Sequence, residues 1–236
     1  MTLADKVTLA RLGLMPLIVA AYLLLPIEYH LCFWVAGFLC ALAEYTDLMD
    51  GRIARRRGEV SDFGKLADPF CDVVYRIGVF LVLILPAGGV GYPLYALSTV
   101  PGAAAEPLTA ASLWPGHLVF ATTVRDGAAT LATSPVPWLP VFLMVLREII
   151  AGALRAMTAT RGLVLAARTS GKVKAWVQGT TIITCLAFPA CWFVRAEWHL
   201  AWGWWATWLC AVISVGSILE YIWVNRGTLA QLIKRQ

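Results

Sequence analysis

Charge is what this sequence has least of. Only 14% of its residues are Asp, Glu, Lys or Arg, against roughly 25% in an ordinary soluble domain. Together with 60% hydrophobic residues and a mean hydropathy of +0.73, that shortage argues against a soluble fold with one large core. Histidine is scarce as well, at three residues. None of the six cysteines (Cys32, Cys40, Cys71, Cys185, Cys191, Cys210) stands in a C-x-x-C pair. Both facts argue against a zinc site or a disulfide framework, and the cysteines read as small buried hydrophobes. No small-residue cleavage site follows the first apolar run, which therefore reads as a retained helix and not a signal peptide. There is no internal repeat, and nothing in the chain points to nucleic acid.

What the sequence does have is apolar runs, several near the roughly 20 residues a bilayer-crossing helix needs. They do not alternate, which argues for helices over a barrel. The fold expected is all-α: a polytopic integral membrane protein with six transmembrane helices, at about 8–27, 31–55, 62–86, 137–161, 172–194 and 201–225. Lys and Arg near span ends set the orientation. With both termini in the cytoplasm, only Arg125 and Arg195 of the 19 Lys and Arg residues fall in outer loops. The net charge of +5 suits an anionic leaflet and anionic substrates. Residues 87–136, rich in Gly, Pro, Ala, Ser and Thr, read as an outer-side insertion within a single domain. Trp114 and Trp138 could anchor it at the interface.

The polar exception is D47-L-M-D-G-R-I-A-R-R-R-G-E-V-S-D-F-G-K-L-A-D-P-F-C-D72, between two apolar runs. Residues three, four and seven apart share a helix face. Asp47, Asp50 and Ala54 therefore line the end of the second helix, and Gly64, Asp68 and Asp72 the start of the third. A short basic turn joins them, so four carboxylates converge on one cavity at the cytoplasmic edge. An aspartate at bilayer centre costs roughly 2.5–3.5 kcal/mol, and mutual repulsion adds to this. Divalent cations would offset both, and carboxylate oxygens suit Mg2+ or Mn2+. Two such ions could clamp the attacking and leaving oxygens at a phosphorus atom. Gly51 and Gly64 allow close approach of a ligand to the backbone, and Arg55 can fork onto phosphate oxygens. A solvated helix-end cluster, an ion pathway of a cation transporter and a catalytically dead scaffold remain the competing readings. The transporter does not require Gly51, Ala54, Arg55 or Gly64.

The pattern D-x-x-D-G-x-x-A-R-x8-G-x-x-x-D-x-x-x-D resembles the signature of the CDP-alcohol phosphotransferase family at all eight fixed positions, which lie within the 26 residues from Asp47 to Asp72. The resemblance implies transfer of a substituted phosphate from a CDP-linked donor to an alcohol, with release of CMP. It implies that Asp47, Asp50, Asp68 and Asp72 hold two metal ions and that Asp72 is also the general base. Gly51, Ala54, Arg55 and Gly64 would cradle the CDP moiety. The family also implies a homodimer.

A second block, R147-E-I-I-A-G-A-L-R155 followed by R168-T-S-G-K-V-K-A-W-V-Q178, places cations on the fourth and fifth helices. Arg147, Arg155, Lys172 and Lys174 would suit the phosphate of a second anionic substrate, unless they only snorkel to the headgroups. This block is similar to that of the bacterial phosphatidylglycerophosphate synthase subfamily. That likeness implies CDP-diacylglycerol as donor, sn-glycerol 3-phosphate as acceptor and the bacterial inner membrane as location. The chain departs from the subfamily at Val73, where a lysine is usual, at Asp5, where Asn is usual, and in the length of residues 87–136. Arg76, one turn beyond Asp72, could replace the missing cation. Inositol phosphate, serine or phosphatidylglycerol are the alternative acceptors.

Overall fold

The computed structural model describes residues 3–25, 29–57, 62–87, 96–98, 115–123, 129–159, 169–191 and 196–227. Trp114, Arg125, Arg168 and Arg195 lie outside them. Among the described residues there are six helices: α1 (Leu3–Leu23), α2 (Tyr29–Arg57), α3 (Asp62–Leu83), α4 (Trp138–Ala159), α5 (Thr169–Ala190) and α6 (Ala196–Val224). Each falls on one of the six expected segments. Helix α2 packs against α1 and α5, and α3 packs against α1, α4 and α5, while α6 covers α4 and α5.

Small residues let these helices approach closely. Ala36, Cys40 and Ala43, at i, i+4 and i+7 on α2, are fully buried. They leave room for Tyr75, Val79 and Phe80 of α3 and for Ile182 and Leu186 of α5 in the same core. Tyr22 of α1 meets Phe33 edge-on, with ring centroids 5.4 Å apart. Its hydroxyl donates to the Leu85 carbonyl at 3.0 Å, just past the end of α3. The described cysteines are all free, and all but Cys191 are buried.

Beside this apolar core, several ionisable or polar residues are buried while large apolar side chains lie on the outside. Arg11, Arg76, Glu148, Lys174 and Gln178 are buried, while Trp34, Phe38, Phe70, Ile149, Trp176, Trp205, Val212 and Trp223 are exposed. Among the described residues, Trp198–Val224 is the one helix both long and apolar enough to cross a membrane by its own composition. Leu9–Leu23 and His30–Thr46 are shorter apolar helices.

One departure from the all-helical expectation lies in the 87–136 region. Strands β1 (Ala96–Ser98), β2 (Val119–Thr123) and β3 (Ala129–Thr133) form an antiparallel sheet in the order β1-β3-β2. The Val119↔Thr133 to Thr123↔Ala129 register uses V-F-A-T-T and A-T-L-A-T, short segments carrying β-branched residues. They are too brief to stand out from their Gly- and Pro-rich surroundings. The sheet region joins the C-terminal end of α3 to the N-terminal end of α4. It is therefore at the opposite end of the bundle from the α2–α3 turn.

That region is fastened to α4 and α6. Gly116, at φ 92°, takes a conformation that favours glycine. Its carbonyl accepts from the Trp138 N–H at 3.0 Å, which pairs an otherwise orphaned donor at the start of α4. Trp204 Nε1 donates to the Pro115 carbonyl at 2.9 Å. His117 Nδ1 lies 2.7 Å from the Ser134 carbonyl, and burial lowers the His117 pKa. Gly203 of α6 faces the backbone here, since a Cβ on it would stand 2.3 Å from the Pro135 carbonyl oxygen. Gly203→Ala is expected to destabilise the protein by about 1–3 kcal/mol through this overlap. Gly216→Ala, where a Cβ meets nothing within 4 Å, is expected to be neutral or slightly stabilising. Thermal unfolding of the two variants side by side checks this.

Candidate active site

Helix α2 carries Asp47, Asp50, Gly51, Ala54 and Arg55, and α3 carries Gly64, Asp68 and Asp72. Apart from Asp72, the side chains of these eight motif positions lie outside the described residues. The relation between the two helices is fixed by residues just beyond the motif. Tyr75 donates to the Cys40 carbonyl at 3.1 Å. Arg76 forks onto Glu44, with Nε 3.3 Å from Oε1 and Nη2 3.2 Å from Oε2. Glu44 is one turn before Asp47, and Arg76 is one turn after Asp72. From these ties the motif-bearing stretches, residues 47–57 of α2 and 62–72 of α3, continue toward residues 58–61, which connect the two helices in sequence.

Asp72 is half-buried and faces two cations. Arg76 Nη2 lies 3.2 Å from its Oδ1, and Arg11 Nη1 of α1 lies 3.8 Å from the same oxygen. Arg11 and Arg76 are only 2% and 4% exposed, so both charges sit where water cannot solvate them well. Burying a guanidinium is costly unless it is paired. Asp72 and Glu44 supply that pairing.

A second polar cluster lies on α4, α5 and α6. Glu148 accepts from Arg147 Nη1 at 3.0 Å and forms a short contact with Lys174 Nζ. Arg147 also donates to Ser217 Oγ from Nε at 3.2 Å and from Nη2 at 2.9 Å. Gln178, one turn along α5 from Lys174, donates to Ser214 Oγ at 3.4 Å. Of the four expected phosphate-binding cations, Arg147 and Lys174 are thus brought together over Glu148. Arg155 and Lys172 are exposed, and Arg155 Nε donates to the Ala151 carbonyl of its own helix at 3.1 Å.

Sequence reasoning left out the two acidic residues that organise these clusters, Glu44 and Glu148. The signal was present: each is an acid within an otherwise apolar helical stretch, and such residues are rarely idle. Arg76, the candidate replacement for the usual lysine, lies 3.2 Å from Asp72 Oδ1 through Nη2.

Comparison with known proteins agrees with the motif. The CDP-alcohol phosphatidyltransferase family model matches residues 1–112. The CDP-diacylglycerol–glycerol-3-phosphate 3-phosphatidyltransferase of Rickettsia felis is 35% identical over 83 residues, covering 35% of this chain and 44% of the relative. The protein of the same name from Pseudomonas fluorescens is 32% identical over 89 residues, covering 38% of this chain and 44% of the relative. That from Treponema pallidum is 49% identical over 39 residues, covering 16% and 18%. The chain thus spans less than half the length of these curated relatives. Motif and family match coincide in one stretch, and residues 1–112 are similar to the CDP-alcohol phosphatidyltransferase family.

Proposed function

We propose that this protein transfers a phosphatidyl group from CDP-diacylglycerol to sn-glycerol 3-phosphate, forming phosphatidylglycerophosphate and CMP. The observation that carries the reading is the complete eight-position motif on the α2–α3 hairpin, with Asp72 held between Arg11 and Arg76. The names of the similar proteins support the choice of donor and acceptor.

Asp47, Asp50, Asp68 and Asp72 would bind two divalent cations, Mg2+ or Mn2+. Their donor set fits, being hard oxygen throughout. When bound, the ions would stabilise charge on the phosphate oxygens. Gly51, Ala54, Arg55 and Gly64 bind the CDP part of the donor. Asp72 takes the proton from the acceptor hydroxyl as that oxygen attacks the phosphorus bearing diacylglycerol. A new O–P bond forms, the P–O bond to CMP breaks, and CMP leaves with that electron pair. Arg147 and Lys174, with Arg155 and Lys172 nearer the surface, attract the acceptor's phosphate. Glu148 holds Arg147 and Lys174 in place until a phosphate competes for them.

The protein would work as a homodimer in the bacterial inner membrane, with all six helices spanning and both termini in the cytoplasm. The membrane setting is supported by the burial of Arg11, Arg76, Glu148 and Lys174 beside the exposure of large apolar side chains such as Trp34, Phe38 and Trp205. Ionisable residues inside a membrane face the bundle interior, and large apolar side chains face lipid.

The test is CMP release from CDP-diacylglycerol by purified protein with a panel of alcohols. Release is expected with glycerol 3-phosphate and not with serine or inositol phosphate. It should vanish after chelation and return with Mg2+ or Mn2+. Release with another alcohol alone would replace the acceptor, and release in the presence of excess chelator would remove the metal ions from the reading.

A further inference from the structure

Ser217 belongs to neither sequence block singled out above, yet the buried cluster on α4, α5 and α6 is anchored on its hydroxyl. Arg147 of α4 reaches across to it with two nitrogens, Nε at 3.2 Å and Nη2 at 2.9 Å. Ser217 in turn donates to the Ser214 carbonyl, three residues back on α6, at 2.7 Å. A hydroxyl has one proton and two lone pairs. With the proton engaged in its own helix, the oxygen is turned to Arg147 as an acceptor. Ser217 is only 4% exposed, so water is poorly placed to stand in for it.

Arg147 and Glu148 are adjacent on α4, and adjacent residues leave a helix about 100° apart. Glu148 turns to Lys174 of α5, and Arg147 to Ser217 of α6. Arg147 Nη1 still reaches both Glu148 oxygens at 3.0 Å. The guanidinium thus has two kinds of partner, a charged carboxylate and a neutral hydroxyl. An incoming phosphate competes with the carboxylate, because both seek the positive charge. The hydroxyl orients the guanidinium without cancelling that charge. The cluster's own charges do not cancel either, since two cations share one carboxylate. Buried charge calls for a counter-charge, and an anion entering here would supply it.

We propose that Ser217 is a positioning residue for acceptor recognition. It is the partner that stays with Arg147 when the phosphate of a phosphomonoester takes over from Glu148, and it keeps the guanidinium aimed at that phosphate. This deepens the reading of Arg147 as a cation that attracts the acceptor's phosphate and rests on it.

The experiment titrates sn-glycerol 3-phosphate, and separately inositol phosphate, into the purified full chain by calorimetry, beside CMP release. Ser217→Ala should weaken glycerol 3-phosphate binding by about tenfold or more, the scale of a hydrogen bond to a charged group. KM for glycerol 3-phosphate should rise in parallel, with KM for CDP-diacylglycerol unchanged. Ser217→Thr should restore both, because a helical Thr can also bond the carbonyl three or four residues back. Gly216→Ala, next to it on α6, is the control and should change neither. Arg147→Lys keeps the charge and loses the fork, so Ser217→Ala should weaken binding less on that background than in the wild type. Unchanged binding in Ser217→Ala, a Thr variant no better than Ala, or an equal loss on the Arg147→Lys background overturns the inference. So does a wild type that binds neither phosphomonoester. Binding of inositol phosphate alone, with the same variant pattern, replaces the acceptor of the proposed reaction and upholds the role of Ser217. The expected binding pattern without CMP release from any alcohol overturns the reaction and likewise upholds Ser217.

Discussion

Asp72→Asn is expected to lower CMP release by about 10²- to 10⁴-fold, the span typical of losing a general base. The substitution keeps the size of the side chain and one carbonyl oxygen, but removes the charge facing Arg76 and Arg11. Arg76 still has Glu44, so the guanidinium most deeply tied into the hairpin keeps a carboxylate. Helix content measured by circular dichroism should therefore be retained while turnover is lost. Unimpaired release by the variant would remove Asp72 from the chemistry. Loss of helix content together with activity would instead make its role one of charge balance.

Glu148→Gln is expected to be the most destabilising of the substitutions considered, by about 3–5 kcal/mol, because it leaves buried cations without their counter-charge. Glu148, Lys174 and Arg147 have side-chain exposures of only 6%, 9% and 11%. One carboxylate serves both cations. The signature of this arrangement is non-additivity: Glu148→Gln combined with Lys174→Met should cost less than the sum of the two single changes. Chemical denaturation of the four proteins in one detergent measures it. Simple additivity would show that the three charges are solvated separately.

The helices were legible in the sequence because apolar runs recur along it and most of the connections between them contain Pro or Gly. The motif was legible because eight residue types at fixed spacing leave little room for chance. Pairing of charges was not. Glu44 is read along the chain as a neighbour of Asp47, and nothing local says that its carboxylate turns to Arg76, 32 residues away. Glu148 likewise stands beside Arg147 in sequence, and its contact with Lys174 exists only once α4 and α5 pack. The sheet was hidden for a different reason: its strands are three and five residues long, and a composition rich in Gly, Pro and Ala masks such short segments.

The ties between α2 and α3 also bear on how the site could open. Tyr75–Cys40 and Arg76–Glu44 lie on the side of the motif away from the connecting turn. Parting the helices there would break buried hydrogen bonds and separate opposite charges, whereas parting them toward the turn breaks neither contact. The hairpin is thus pinned like the hinge of a pair of tweezers, with the aspartate motif between pin and tips.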